Sequence, residues 1–276
     1  MTAEWTIDEL MCACIARQVQ DGEILAQGLA TPIVAAGYLL AWHTHAPNAT
    51  FASAIGQTLC EEGAPLGLAN IESLWLDKGL ASFGFIQAAA DLLPTVKPKE
   101  FFRPGQVDAR GNFNNIAIGR DYQKPRLRLP GSGGIPDVST YMDGIYLYVP
   151  RHSKITFVEE LDYVSGLGHS PVRARGSGTA YLVTNLCEFD FKEQRMRLIS
   201  LHPGTSIQDV IAKTGFTFQV SGELRETNPP DGEELRLLRE VIDPLGIRKL
   251  EFMSGHKRNQ ALKAILHKEK RLYDRK

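Results

Sequence analysis

The chain has 276 residues, 43% hydrophobic and 23% charged, with a formal net charge of −1. It is long enough to bury a substantial core, and its near-zero balance excludes a global field that would draw it to nucleic acid or a membrane surface. No apolar run reaches the ~20 residues of a membrane-spanning helix, and the start MTAEWTIDEL lacks the basic segment of a secretory signal, so the expectation is a cytoplasmic protein.

In chain order, Thr6 and Glu9 have capping-box spacing, and Ile7, Leu10, Met11, Cys14 and Ile15 follow at helical intervals. This predicts an amphipathic helix with Cys14 on its buried stripe and Cys12 off the full pattern. EILAQGLA (23–30) reads as a buried strand, and Thr31 and Pro32 read as the cap and first position of a helix that Pro47 stops. ATFASAIG (49–56) supplies a second strand and completes a β-α-β unit. Ligands bind beyond the carboxyl ends of such strands, so residues 53–60 should face an active site.

Residues 79–94 predict a helix, or a helix broken at Gly84, closed by Pro94, and KPKE (97–100) a solvated connection. GIYLYVP from Gly144 is a strand, RHSKITFVEELDYVSG continues as strands and turns, and RARGSGTA (173–180) is a surface hairpin loop before the strand YLVTNLCEFDF. Ser206 and Asp209 open a short helix that stops at Gly215, and TFQVSG returns as strand. Asp231 and Glu234 cap a helix with Leu235, Leu238, Val241 and Ile242 on one face. Residues 254–276 carry eight Lys/Arg against two acids, a local charge of +6 that leaves −7 on the rest. The division expected is an α/β domain over 1–250 and a basic, helical tail over 251–276. That tail is either solvated or clamps an acidic partner or phosphates, with no aromatic or motif support for nucleic-acid binding.

Chemistry concentrates between Gly105 and Asp137. Gly131, Gly133 and Gly134, with Ser132 among them, let the backbone turn at φ > 0 and bring its N–H groups up to an anion or oxyanion. Gln106, Asp108, Asn112, Asn114 and Asn115 form a polar group at a strand end, able to hold loops or reach a substrate carboxylate. Lys124 and Arg126 suit a phosphate or a carboxylate, or plain solvation. Cys12, Cys14, Cys60 and Cys187 have no C-x-x-C spacing, and His152 and His169 no metal-ligand spacing, so small buried thiols, structural histidines and no metal site are expected.

The pattern GQVDARGNFN, then IG, KPR and GSGG resembles the B (β) subunit of glutaconate CoA-transferase and the class I CoA-transferase family. The likeness also takes in HAPN (45–48), DYVS (162–165), TNLCEFDF (184–191), SLHPG (200–204), DVIAKTGF (209–216) and EVIDP (240–244), and covers residues 6 to 247 in the family's order. It implies an α/β fold with a largely parallel sheet flanked by helices. It also implies a partner, an α-type subunit in a heterodimer or heterotetramer. An acyl-CoA would be the substrate, with coenzyme A part of that substrate and no permanently bound cofactor. Gly131 to Gly134 would cradle the thioester, and Gln106, Asp108, Asn112 and Asn114 would line the pocket.

One position departs from the family. Aligned from His45, the nucleophilic glutamate falls on Ala54, and alanine cannot be acylated. Either the chain has been repurposed to another acyl-CoA reaction, or the alignment slips and Glu61, Glu62 or Glu72 supplies the carboxylate, or the glutamate has been removed by substitution. The reading taken is the first: hydrolysis, carbon-carbon cleavage or decarboxylation in place of transfer, with NIESLW (70–75) resembling the ring-cleaving branch. True CoA transfer and a non-catalytic structural subunit are the alternatives.

Overall fold

The computed structural model describes residues 4–28 and 30–273. They form two compact units, one from 4–85 with 229–273 and the other from 86–228.

The first unit begins with helix α1 (Ile7–Ala16), closed by the expected capping box, in which Thr6 N donates to Glu9 Oε2 at 2.9 Å. The helix is not amphipathic: Leu10, Met11, Cys12, Ala13, Cys14 and Ile15 are all fully buried, Cys12 included. A helix hydrophobic all round belongs inside a core, and the period-based stripe understated it. Helix α2 (Pro32–His43) packs on it at close range, and a Cβ at Gly37 would lie 2.6 Å from Ile15 Cγ2, so only glycine permits this crossing. Strands β1 (Ile24–Gln27) and β2 (Thr50–Ser53) pair in parallel through α2, as the β-α-β reading requires.

Strand β3 (Thr58–Cys60) then folds back antiparallel on β2 and is followed by α3 (Ile71–Leu76). Residues 79–94 correct the sequence expectation. Gly79–Ser82 is strand β4, antiparallel to β3, and the helix starts only at Phe85 and runs through Pro94 to Val96. Pairing with Thr58 and Leu59 overrides the local helical pattern up to the break at Gly84.

The end of the chain completes this unit. Asp231 and Glu234 form their capping box and Leu235, Leu238 and Ile242 are buried, but Val241, expected on the same face, is exposed. Arg248 is buried against Asp243, Glu9 and Asp8 at 3.0, 2.9 and 2.8 Å. The basic segment is a helix over Gly255–Tyr273, seated by Ile265 and by Glu269, which accepts from Leu68 N and Ala69 N at 2.9 Å each. Asp274, Arg275 and Lys276 lie outside the described residues.

The second unit is built on a six-stranded sheet in the order β14-β13-β12-β11-β10-β5. Its strands are β5 (Phe101–Phe102), β10 (Ile145–Val149), β11 (Thr179–Thr184), β12 (Cys187–Lys192), β13 (Arg195–Leu201) and β14 (Gln219–Glu226). β5, β10 and β11 run parallel, as do β13 and β14, whereas β12 is antiparallel to both neighbours. The α/β class stands, with parallel strands flanked by helices, but in two mixed sheets rather than one largely parallel sheet. Phe102, Val107, Phe113, Leu147, Phe157 and Phe189 form the core, covered by helices Ile135–Tyr141 and Ile207–Lys213 through Val138 and Val210. Ser206 and Asp209 form the expected capping box of the second of these.

Because β10 and β11 are parallel, the segment between them is a crossover, and RARGSGTA is not a hairpin. No helix fills it. The expected strands over 151–166 are turns held by single bridges, Val107 to Phe157 and Phe113 to Gly166. Two short hairpins, β6 (Gln106–Val107) with β7 (Phe113–Asn114) and β8 (Ala117–Ile118) with β9 (Leu127–Arg128), carry the polar stretch. Among the described residues no helix is long and apolar enough to cross a membrane.

Candidate functional site

In the first unit the register places Gln27 opposite Ser53 and Ser53 opposite Thr58, at the carboxyl ends of β1 and β2. One same-face step back along the sheet, two residues before Gln27 and Ser53 and two after Thr58, stand Leu25, Phe51 and Cys60, all in the core. An apolar row thus gives way, at the strand ends, to a buried polar row. Ala54 comes next and is exposed; its N–H donates to the carbonyl of Gln27 at 3.0 Å. The turn it opens, 54–57, is pinned by Gly56 N donating to Ser53 Oγ at 3.2 Å. A Cβ at Gly56 would lie 2.9 Å from Trp75 Cβ and 3.0 Å from Thr58 Oγ1, so the turn sits hard against α3.

The carboxylates considered as substitutes for position 54 lie elsewhere. β3 runs away from the turn, which carries Glu61 and Glu62 to the opposite end of the sheet, where Glu62 pairs with Lys78. Glu72 is exposed on α3. Cys60 is buried; its thiol approaches Thr58 Oγ1 and the Trp75 carbonyl, and burial pushes it up from the usual thiol value. It is no nucleophile at neutral pH.

In the second unit the central stretch is organised around Asn115. Its side chain accepts from Gly105 N at 2.9 Å, its carbonyl from Gly131 N at 2.8 Å, and its N–H donates to Ser165 Oγ at 2.8 Å. Ser132 Oγ donates to the same Ser165 at 3.2 Å. The glycine loop and the 105–115 segment are therefore brought together, as the sequence suggested. The amides are used differently from expectation. Gln106 and Asn114 are buried and bonded to each other at 2.7 Å; Gln106 also donates to Asp162, and Asn114 donates to the Ala117 carbonyl and accepts from Ile116 N. Asp108 accepts from Arg110 N, Asn112 N and the Asn112 amide, closing the turn of the first hairpin, and burial raises its carboxyl above the usual range.

Gly131 and Gly133 keep the positive φ that motivated the reading, whereas Gly134, at φ −86°, takes an ordinary helix-cap conformation. Gly131 and Gly133 have φ of 101° and 51°, and an added Cβ at either would meet nothing within 4 Å. Among the described residues the N–H groups of Ser132, Gly133 and Gly134 have no acceptor, so three donors line an open turn. Lys124 and Arg126 are exposed on the β8–β9 loop without an ion pair among the described residues. His152 is stacked 3.7 Å from Phe157, bonded to Thr184 and Thr214, and lowered by burial to about 3; His169 bonds to the Thr179 carbonyl at 2.8 Å. Both are structural. All four cysteines are buried thiols outside any disulfide.

Sequence reasoning missed Gln27, Ser53 and Thr58, whose signal was a glutamine ending an otherwise apolar strand. It also missed Asp162 and Ser165, which organise the loops from a distant segment, and Glu100, placed in a solvated connection. Glu100 is only part-buried as a residue, yet burial around its carboxyl raises it to about 8.

Residues 104–213 match the family described as coenzyme A transferase. Over 260 residues the chain is 29% identical to the B chain of glutaconate CoA-transferase from Acidaminococcus fermentans, covering 87% of this chain and 93% of that one. Over 156 residues it is 36% identical to the cholesterol ring-cleaving hydrolase IpdB subunit of Mycobacterium tuberculosis, covering 54% and 62%. The crystal structure of the decarboxylase AibA/AibB superposes with a TM-score of 0.76 at 30% identity, covering 89% of this chain and 98% of that one. With the fold, the length and the glycine-loop segment all in agreement, this chain belongs to the coenzyme A transferase family, among its B-type subunits.

Proposed function

We propose that the chain is the B-type half of a two-subunit enzyme that acts on an acyl-CoA thioester by hydrolysis, carbon-carbon cleavage or decarboxylation, and not by CoA transfer. The observation that carries this is Ala54. The turn that should hold the nucleophilic glutamate is intact, pinned by Ser53 and pressed on Trp75, but its side chain is a methyl group. Transfer through a glutamyl thioester needs a carboxylate there, and Glu61, Glu62 and Glu72 do not lie on that turn. Relatives named as a hydrolase and a decarboxylase share the fold, which fits a scaffold that serves several reactions of CoA esters.

All of these reactions build negative charge on a carbonyl oxygen. The free N–H groups of Ser132, Gly133 and Gly134 are suited to cradle the thioester, because fixed backbone dipoles stabilise such charge without reorganising. Gln106, Asp108, Asn112 and Asn114 contribute by holding the loops in place, and any acid or base is assigned to the α-type partner. Coenzyme A enters as part of the substrate, with no permanently bound cofactor. A cytoplasmic setting agrees with four cysteines kept as thiols.

The test compares the Ala54 form and Ala54→Glu, each assembled with its α-type partner. The Ala54 complex should consume an acyl-CoA, give no CoA exchange with a free acid, and yield no adduct to hydroxylamine or borohydride. Sustained exchange with a trapped glutamyl adduct on the Ala54 chain would establish transfer instead.

A further inference from the structure

Between Gly131 and Gly134 the glycine loop has one side chain, that of Ser132. Space is open beside Gly131 and Gly133, where an added Cβ would meet nothing within 4 Å, so packing does not wedge the turn in place on that side. Hydrogen bonds hold it instead. Gly131 N donates to the Asn115 carbonyl and Ile135 N to the Ser132 carbonyl, at 2.8 Å each, and Ser132 Oγ donates to Ser165 Oγ at 3.2 Å. The Ser165 oxygen also accepts from Asn115 N at 2.8 Å. One hydroxyl oxygen therefore takes two donors, and both lead to the loop: Ser132 directly, and Asn115 through its bond to Gly131. Ser165 itself is firmly seated. It is 3% exposed, and its N–H and that of Gly166 donate to the carbonyl of the fully buried Phe113 at 2.8 and 3.1 Å. A Cβ at Gly166 would lie 2.3 Å from the Phe113 ring, so this segment is pressed on the core without slack.

We infer that Ser165 is the positioning residue of the glycine loop, its hydroxyl oxygen fixing the direction in which the N–H groups of Ser132, Gly133 and Gly134 meet a thioester carbonyl. The inference rests on the acyl-CoA function proposed above and adds a residue to it. Glycines allow the loop its shape but leave its backbone the least restricted of any residue type. Backbone dipoles stabilise charge on a carbonyl oxygen best when they are already aimed, because a donor ordered only on binding loses part of its effect to that ordering. A tether from the core supplies the aim in advance. Ser165 lies 33 residues beyond Ser132 in the chain and is buried behind it, so it acts through Ser132 and Asn115 and not by contact with substrate. The same bond turns the single hydroxyl proton of Ser132 inward, which leaves the backbone N–H groups as the donors on the open side.

The experiment uses the complex with its α-type partner and two probes, acetyl-CoA and the thioether S-ethyl-CoA, which differ at the carbonyl. Wild type should hold acetyl-CoA the more tightly. Ser165→Ala removes the shared acceptor; Ser132→Ala removes the direct bond from the loop side and serves should the first variant fail to assemble. Either should bind acetyl-CoA about tenfold more weakly than wild type while holding S-ethyl-CoA within about twofold. Ser165→Thr keeps the oxygen and should bind both probes as wild type does. Equal weakening toward both probes, no change toward either, or a threonine variant that tracks the alanine one would overturn the assignment and leave Ser165 as a packing residue. A wild-type complex that binds neither probe would overturn the acyl-CoA function itself, and this inference with it.

Discussion

Glu9 and Glu100 start from the same ordinary value of 4.5 and are moved in opposite directions. Burial alone would raise Glu9, but bonds from Arg239 and Thr6 and the nearby Arg248 outweigh it and hold the carboxyl at about 2. Glu100 has no such partner among the described residues, and burial raises it to about 8. A depressed carboxyl contributes stability that is present above the ordinary value and lost as pH falls from 4.5 toward 2. A raised one does the reverse: the unfolded chain ionises first, so its cost grows as pH climbs from 4.5 to 8. The isolated chain should therefore be most stable on the mildly acidic side of neutrality. Glu100→Gln should gain on the order of 2 kcal/mol at pH 8.5, discounted for part exposure, and nothing at pH 4.5. Denaturant titrations at the two pH values check this; equal gains at both would mean that packing, not charge, is at work. None of this was visible in KPKE, where a glutamate among lysines reads as solvated. Sequence adjacency does not report that the neighbouring Lys99 turns over the Tyr146 ring, 4.9 Å from its centre.

At the scale of elements, helix starts were legible locally, whereas the stripe assigned to α1 and the stop assigned to Pro94 were not borne out. The capping boxes at Thr6, Ser206 and Asp231, Pro32 as the first helical position, and the β-α-β unit all follow from short-range chemistry. The losses were non-local. β4 exists because β3 offers it a ladder, and the 150–178 crossover holds no strands because bridges from Val107 and Phe113 reach it from elsewhere in the chain. The C-terminal helix shows how far such effects extend. Its sequence looks like a solvated tail, yet Glu269 is fully buried and fills two backbone donors at residues 68 and 69. Glu269→Ala leaves both N–H groups unpaired and should cost about 1–3 kcal/mol. Amide exchange separates the explanations: Leu68 and Ala69 should lose protection first, with the helix following. Unchanged exchange at those two amides would show that the tether is not what seats the helix. The candidate site was legible to the same degree. The glycine loop was visible in composition, whereas the row of Gln27, Ser53 and Thr58 required knowing which residues share a face of the sheet.

The whole chain is nearly neutral, but its charges are segregated. The final segment carries +6 and the rest −7. Along the helix Gly255–Tyr273 the single acid, Glu269, is buried, so Lys257, Arg258, Lys263, Lys268, Lys270 and Arg271 carry their charge with no ion pair among the described residues. The spacing of Lys268 and Arg271 places like charges about one turn apart, a mildly destabilising arrangement on an isolated helix. Net charge near zero removes the repulsion that keeps copies apart, and a cationic helix in an otherwise acidic chain lets one copy attract the next. The isolated chain should therefore self-associate at ~20 mM salt and disperse at ~300 mM, where the screening length falls well below the length of the helix. Reversing Lys263 and Lys270 to glutamate should remove the low-salt association while leaving thermal stability within about 1 kcal/mol, since both are exposed and outside any ion pair among the described residues. Sedimentation at the two ionic strengths reads the result. Association that persists in high salt, or in the reversed variant, would point to apolar contact through exposed residues such as Leu80 on the β4 edge, 63% exposed.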